Sequence, residues 1–180
     1  MGAAQTAIQA FGQTIAFAGM VTRRVDSQSA MNEEATNAIS FGIGVKPGAK
    51  IKGCLLPTAT SSLLKGIMVQ GQDYAPGSFG DITQTATPTG VSPKVFGELL
   101  TEGRCWVVVD AGSSPAVNTR AYWRAVSDGG SNTVVGTFCT ADDGNVVDTR
   151  KEVVFLSGKY TAADGVTTIA EVYVSISNAP

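Results

Sequence analysis

Residues 139–150 read CTADDGNVVDTR, an acidic stretch whose side chains are of the types that bind calcium or exchange protons. In an EF-hand, the loop glycine is preceded by ligands one, three and five positions earlier. Counting back from Gly144, those positions hold Asp143, Ala141 and Cys139, and the last two supply no side-chain oxygen. The spacing therefore argues against an EF-hand loop.

Two other uses of the same stretch stay open. Asp142, Asn145 and Asp148 could supply oxygen ligands to an irregular calcium site, because calcium accepts varied oxygen cages. The same letters are typical of a tight turn between two strands, where neighbouring carboxylates point apart and cannot flank a substrate as a catalytic pair must. We therefore interpret residues 142–145 as a hairpin turn, with Asp148 and Arg150 in the returning strand. We predict no metal ion and no catalytic residue here.

Ser62-Leu63-Leu64-Lys65 matches the SxxK spacing, which on a helix brings a lysine amine beside a serine nucleophile. The companion elements SDN and KTG are absent, because Ser127-Asp128 is followed by glycine and no Lys-Thr-Gly occurs. We expect an ordinary polar turn with Lys65 in solvent. A small Ser/Lys hydrolase is the alternative, and it would lose activity on the substitution Ser62→Ala.

A third group combines aromatic rings with guanidinium groups: Arg104, Trp106, Tyr122, Trp123 and Arg124. Such pairings bind sugars or single-stranded nucleic acid when they share an exposed surface. They also occur in the walls of β-sandwiches, where the rings are buried and the arginines form ion pairs. Binding of a glycan is thus one interpretation, and a structural wall is the other.

The chain contains no histidine, which removes the commonest general base and the usual zinc or copper ligand. Its three cysteines, Cys54, Cys105 and Cys139, are far apart and have no CxxC spacing, so we expect buried, reduced thiols. These features favour a structural or binding role over catalysis. We predict that the protein is not an enzyme and holds no cofactor.

The charges are few and scattered. Charged residues make up 16% of the chain, the net charge is −2, and no basic run is longer than the pairs Arg23-Arg24 and Arg150-Lys151. Electrostatic capture of a phosphate backbone needs a basic patch, so we expect no nucleic-acid partner. A sparsely charged surface is also typical of a protein that covers part of itself with a partner.

The length of 180 residues is that of one main domain. The first 22 residues carry no charge and are interrupted by glutamines and glycines, which is the pattern of neither a signal peptide nor a membrane span. We expect an N-terminal arm over residues 1–30 and a β-domain over residues 31–180. The arm either clamps a partner subunit or packs as a strand or helix on its own domain.

From Phe41 onward, short apolar runs alternate with Gly/Pro-rich turns, and residues 81–93 form a Thr-rich loop or linker. Strands are predicted over residues 104–110, 121–126, 133–140 and 153–156, the first of them central because both of its faces are apolar. Residues 166–176 alternate apolar and polar side chains with a period of two. The pattern predicts an all-β, antiparallel sandwich or barrel.

Several segments resemble the structural cement (decoration) proteins of tailed bacteriophages. GRCWVVVDAG, NTRAYWRAVSDGG, VVGTFCTADDGNVVDTR and AEVYVSI are similar to the C-terminal half of such proteins. RRVDSQSAMNEEATNAISFGIGVKPG is similar to their preceding part. The similarity runs from about Arg23 to the end of the chain and consists of strand and turn letters, with no catalytic signature.

The resemblance implies a jelly-roll-like β-domain on the outside of the phage head. There it would bridge subunits of the major capsid protein, stiffen the shell, and associate with itself as a homodimer or a homotrimer. It would be made in the host cytoplasm and have no membrane partner. On this interpretation, residues 1–22 order against the capsid, and the acidic turn at residues 142–145 contacts a neighbouring subunit. The alternative function is a phage surface module that binds glycans.

Overall fold

The computed structural model describes residues 16–71, 90–130, 132–150, 152–162 and 164–176. Every regular element in these ranges is a β-strand, which confirms the predicted all-β class. The strands are β1 (Val21–Asn32), β2 (Ile39–Ser40), β3 (Gly44–Pro47), β4 (Gly53–Leu55), β5 (Gly66–Val69), β6 (Gly90–Val91), β7 (Phe96–Val108), β8 (Tyr122–Arg124), β9 (Phe138–Cys139), β10 (Val146–Asp148), β11 (Val153–Phe155), β12 (Tyr160–Thr161) and β13 (Thr168–Ser175).

The long strand β7 organises the main sheet, whose order is β1-β4-β3-β5-β7-β13-β11, with β12 paired to β13. β1 runs antiparallel to β7 from Val21 to Met31. β5 pairs with residues 98–100 of β7 and β13 pairs with residues 102–108, so these two strands occupy the other edge of β7 in succession. The strand predicted at residues 104–110 is therefore central, as its two apolar faces indicate.

β1 also pairs with β4, in the one parallel ladder among the described strands. The pairings β1–β7, β7–β5, β5–β3, β3–β4 and β4–β1 thus form a closed circuit of five strands. Each of these strands contributes to one apolar cluster: Ala30, Val45, Cys54, Met68 and Leu99. Closing the circuit pairs backbone groups that an open edge would expose.

A second core lies between the main sheet and a small sheet of order β10-β8-β9. Trp123 of β8 and Phe138 of β9 are fully buried there, in one cluster with Val107 of β7 and Val172 of β13. In β13, Ala170, Val172 and Val174 are buried, whereas Glu171 and Tyr173 are only half-buried. The predicted period of two in the closing segment is therefore confirmed.

The described part of the predicted arm belongs to the β-domain. Residues 21–32 form β1, and the segment before it is joined to β7 by two backbone hydrogen bonds, Gly19 N–H to Trp106 O (2.7 Å) and Trp106 N–H to Met20 O (2.9 Å). Residues 16–30 thus pack on the β-domain, and the choice between the two alternatives for the whole arm stays a prediction. Residues 1–15 lie outside the described ranges.

The strands predicted for the small sheet are longer than the observed ones. Residues 121–126 contain only Tyr122–Arg124 as strand, and residues 133–140 contain only Phe138–Cys139. The second segment turns at Gly136, whose φ of +89° interrupts extended backbone. Of the predicted loop at 81–93, residues 81–89 fall outside the described ranges, and Gly90–Val91 forms β6. No helix in the described ranges is long and apolar enough to cross a membrane.

Candidate functional site

The acidic stretch does not form a hairpin, which corrects the prediction. β9 and β10 lie on opposite sides of β8 and do not pair with each other, so residues 140–145 cross the end of β8. Two side chains shape this crossing, because Asp142 Oδ1 accepts a hydrogen bond from Gly144 N–H (2.8 Å) and Asp143 Oδ1 accepts one from Asn145 N–H (3.0 Å). The sequence letters indicate a turn correctly, but the strands that it joins are set by the tertiary pairing.

Asp143 has a further partner that the sequence did not reveal. Its Oδ2 accepts a hydrogen bond from Arg124 Nη2 (2.7 Å), and Arg124 Nε donates to Asp110 Oδ2 (2.6 Å). Arg124 and Asp110 are buried, and Thr137 Oγ1 donates to the second oxygen of Asp110. This group, which we call the Arg124 triad (Asp110, Arg124, Asp143), joins the end of β7, strand β8 and the crossing segment.

Within the triad, hydrogen bonds favour the charged forms of Arg124 and Asp143. Burial alone would lower the pKa of Arg124, but hydrogen bonds to Asp143 and Asp110 outweigh it and raise that pKa. The hydrogen bond from Arg124 in turn lowers the pKa of Asp143. An acid held ionised in this way has no proton to donate near neutral pH. The arrangement is thus suited to holding the two sheets together.

The other acidic side chains of the stretch are also engaged. Asp148 pairs with Arg120, at 2.8 Å from Oδ2 to Nη1, and accepts a hydrogen bond from Arg150 N–H through Oδ1. Asp148 lies in β10 and Arg150 follows that strand. Within the described ranges, no three His, Cys, Asp or Glu side chains come together as a metal site would require.

The SxxK segment is not a turn with its lysine in solvent. Lys65 is buried, with 1% of its surface exposed, and its Nζ donates to the backbone carbonyls of Gly53 (3.0 Å) and Ile51 (3.3 Å). Residues 62–65 have no helical turn that would bring the Ser62 hydroxyl beside the amine. The expectation of an exposed Lys65 was wrong, because a backbone carbonyl partner cannot be identified from sequence.

The aromatic residues considered for glycan binding do not form a shared platform. Trp123 and Arg124 are fully buried, and Trp106 is packed edge-on against Tyr160 with ring centroids 5.6 Å apart. Of the five candidates, Arg104 is exposed and Tyr122 half-buried. The structural interpretation of these residues, as a buried wall with an ion pair, therefore fits the observed packing.

The three cysteines are free and buried, as predicted. Burial raises the pKa of the Cys54 thiol to about 11 and that of Cys139 to about 11. Burial also raises the pKa of Cys105. A thiol that stays protonated is a poor nucleophile and metal ligand, so these side chains serve as small apolar groups of the core.

An ordered row of side chains crosses the outer face of the main sheet. Arg23 of β1 is paired with Arg104 of β7, Arg104 with Tyr173 of β13, Tyr173 with Val154 of β11, and Val154 with Arg120 beside β8. Directly paired residues of a regular ladder lie on the same face, which aligns Arg104, Tyr173, Val154 and Arg120. Arg23 adjoins Arg104 next to a register shift in β1, and we call these five residues the arginine row. Four steps between neighbouring strands make the row about 19 Å long.

The arginine row is exposed, and among the described residues only one of its three arginines forms an ion pair. The three arginines are exposed, while Tyr173 and Val154 are half-buried between them. Arg120 pairs with Asp148 and stacks over the Tyr122 ring, 4.9 Å from its centroid. Neither Arg23 nor Arg104 forms an ion pair with any side chain that the structure describes. The row thus leaves two guanidinium groups and a tyrosine available for a partner.

Sequence reasoning found Arg104 but missed the rest of the row. Members that are neighbours in the row are 19 to 81 positions apart in the chain, and only the strand pairing brings them together. The one available signal was the alternation in β13, which placed Tyr173 on the polar side of the closing strand.

The described strands thus form a β-scaffold whose main sheet carries the arginine row on its outer face. The chain matches the family model described as structural cement protein (E217 gp24/Pam3 gp6) over residues 4–174. No curated protein sequence matches it. Among solved structures, a chain of "The capsid of Myoviridae Phage XM1" has a similar fold, with a TM-score of 0.54 and 17% sequence identity. That similarity covers 88% of this chain and 89% of the other.

The chain therefore belongs to the phage structural cement protein family. It is a structural protein of the virion. This confirms the resemblance found in the sequence.

Proposed function

We propose that the protein attaches to the outer surface of the phage head, bridges subunits of the major capsid protein, and stabilises the shell. Family membership supports the structural role, and the arginine row supports attachment through a protein surface. Arginine and tyrosine are enriched in the energetically important centres of protein interfaces. The row is the single observation on which this proposal depends most.

The scaffold fits the mechanical demand of such a role. The arginine row lies on strands that pair across the main sheet, and the Arg124 triad ties that sheet to the small one. A face held on rigid strands loses little entropy when it docks. Many copies bound on a symmetric shell, with the protein itself dimeric or trimeric, would add avidity to contacts that are individually weak.

The proposal also covers the partners, the place of synthesis and the fold. The major capsid protein is the partner, nucleic acid and membranes are not, and synthesis takes place in the host cytoplasm. A jelly-roll-like arrangement is the fold that we propose, supported by two sheets packed over a shared core.

The test uses phage heads that lack the protein. Purified wild-type protein should co-sediment with these heads saturably, raise the temperature at which they release DNA, and appear as outer density by cryo-electron microscopy. The double variant Arg104→Ala/Tyr173→Ala should bind at least about tenfold more weakly, since centrally placed interface residues each contribute more than about 1 kcal/mol.

A matched control is Lys159→Ala, which removes an exposed cation that is not a member of the row. It should bind as the wild type does. Absence of wild-type binding would refute the proposed attachment, and equal binding of the double variant would refute the role of the arginine row.

A further inference from the structure

The connection between β3 and β4 carries the most exposed large apolar side chain of the described residues. Ile51 is 93% exposed, and its neighbours Lys50 and Lys52 are exposed as well. We call residues 49–52 the Ile51 tip. An exposed isoleucine by itself is common on protein surfaces. What distinguishes this one is the set of contacts that holds its backbone in place.

Glu33, at the end of β1, holds the tip from one side. Its Oε2 accepts a hydrogen bond from Ala49 N–H and its Oε1 accepts one from Lys50 N–H, both at 2.8 Å. The backbone hydrogen bond from Lys50 lowers the pKa of Glu33. Gly53 leaves the space for this carboxylate, since a Cβ there would lie 1.6 Å from Oε1.

Lys65 also hydrogen-bonds to the backbone of this connection, from the protein interior. Its buried ammonium group donates to the carbonyls of Ile51 and Gly53, at the base of the tip. Burying a cation is costly unless its donors find partners; here one partner is the Ile51 carbonyl in the tip, and the other is the Gly53 carbonyl directly after it. Glu33 and the buried Lys65 thus both hydrogen-bond to the backbone of the Ile51 tip or its base. The Ile51 side chain itself contacts little of its own chain.

The charges around Ile51 define what the tip can bind. Lys50 and Lys52 form no ion pair within the described ranges, and Glu33 already binds backbone N–H groups. Residues 49–52 thus carry two cations and no acid, with the negative charge of Glu33 on one side, in a chain of net charge −2. An apolar side chain between two free ammonium groups complements an apolar pocket with a carboxylate rim.

We propose that the Ile51 tip inserts into an apolar, acid-rimmed pocket on a subunit of the phage shell, an inference that rests on the proposed function. Because the tip is held before binding, Ile51 is buried in the pocket with little loss of backbone freedom. The arginine row provides a second contact surface on the same scaffold. Two such surfaces on one rigid body are what bridging between shell subunits requires.

The loop between β12 and β13 supplies a matched control. Val166 there is 86% exposed, and Asp164 accepts hydrogen bonds from the N–H groups of Val166 (2.9 Å) and Thr167 (2.8 Å). This loop therefore also presents an exposed aliphatic side chain on a held backbone. It lacks flanking lysines, and it carries an acid instead.

The experiment measures binding of full-length variants to heads that lack the protein, by co-sedimentation at increasing protein concentration. Ile51→Ala should weaken binding about tenfold, and Lys50→Glu/Lys52→Glu should weaken it at least as much. Val166→Ala should bind within about twofold of the wild type. Raising the salt concentration should weaken wild-type binding more than it weakens binding of Lys50→Gln/Lys52→Gln.

All four substituted positions are solvent-exposed, so we expect each variant to keep the fold. Thermal melting of each variant checks this. Wild-type binding that is lost in the Ile51 and lysine variants but kept in Val166→Ala supports the proposal. Wild-type binding that both tip variants retain overturns it and leaves the proposed function standing. A wild-type protein that fails to bind heads refutes the proposed function itself, together with the partner named here.

Discussion

Replacing Arg124 by alanine tests whether the buried triad holds the two sheets together. The substitution removes the only cation within hydrogen-bond distance of Asp110 among the described residues, and the Asp110 side chain is 4% exposed. Its carboxylate would remain buried with Thr137 as the described side-chain donor. Asp143, whose side chain is 38% exposed, would instead stay in contact with water.

The expected cost follows from that difference in burial. Removing one partner of a buried ion pair destabilises a protein by about 3–5 kcal/mol. For a chain of this length, 1 kcal/mol shifts the melting temperature by about 2–4 °C, so Arg124→Ala should lower it by about 6–20 °C. Arg120→Ala is the control, because Arg120 and Asp148 are 46% and 41% exposed and such pairs contribute at most about 1 kcal/mol.

Thermal and urea denaturation, followed by circular dichroism and tryptophan fluorescence, would measure both variants. The double variant Asp110→Ala/Arg124→Met should recover part of the lost stability, because it removes the unpaired buried charge along with its partner. If Arg124→Ala shifts the melting temperature no more than Arg120→Ala does, the triad does not stabilise the contact between the sheets, and the reasoning from burial is refuted.

Two further predictions concern stability. Gly136→Ala should destabilise the protein by about 1–3 kcal/mol more than Gly144→Ala in urea denaturation, because both glycines have positive φ but only a Cβ at Gly136 would clash, 2.1 Å from a methyl of Ile43. Equal costs would contradict the predicted clash. Hydrogen bonds lower the pKa of Asp143, through Arg124, and of Asp164, chiefly through Thr167. The stability that these carboxylates contribute is therefore complete above about pH 4 and is lost as the pH falls through their folded-state values. Asp143→Asn should flatten this acid loss in pH-dependent melting, and an unchanged profile would exclude Asp143 as a source.

The confirmed sequence predictions depend on local pattern. The alternation of residues 166–176 and the apolar run at 104–110 placed β13 and the C-terminal part of β7 correctly, because the period of two reports which face of a strand is buried. The burial of the three cysteines followed from their apolar surroundings in the same way.

The failed predictions concern residues whose partners are distant in the chain. Lys65 looked like a solvent-exposed cation until the fold placed the carbonyls of Ile51 and Gly53 against it. Residues 142–145 looked like a hairpin until the pairing placed β8 between the strands on either side. Neither arrangement has a local signal, because the contacting groups are backbone atoms or strands whose order is set by tertiary packing.

The sequence by itself determined the all-β class, the reduced core thiols, the lack of histidine chemistry and the resemblance to phage cement proteins. These depend on composition and on periodicity over a few residues. Only the tertiary structure decided that Asp143 is an ion-pair partner, that Arg23, Arg104 and Tyr173 share one line, and that Ile51 stands on a held tip. Strand register creates the row, and side-chain hydrogen bonds over 12 to 19 positions hold Asp143 and the tip, so all three features depend on how the sheets pack.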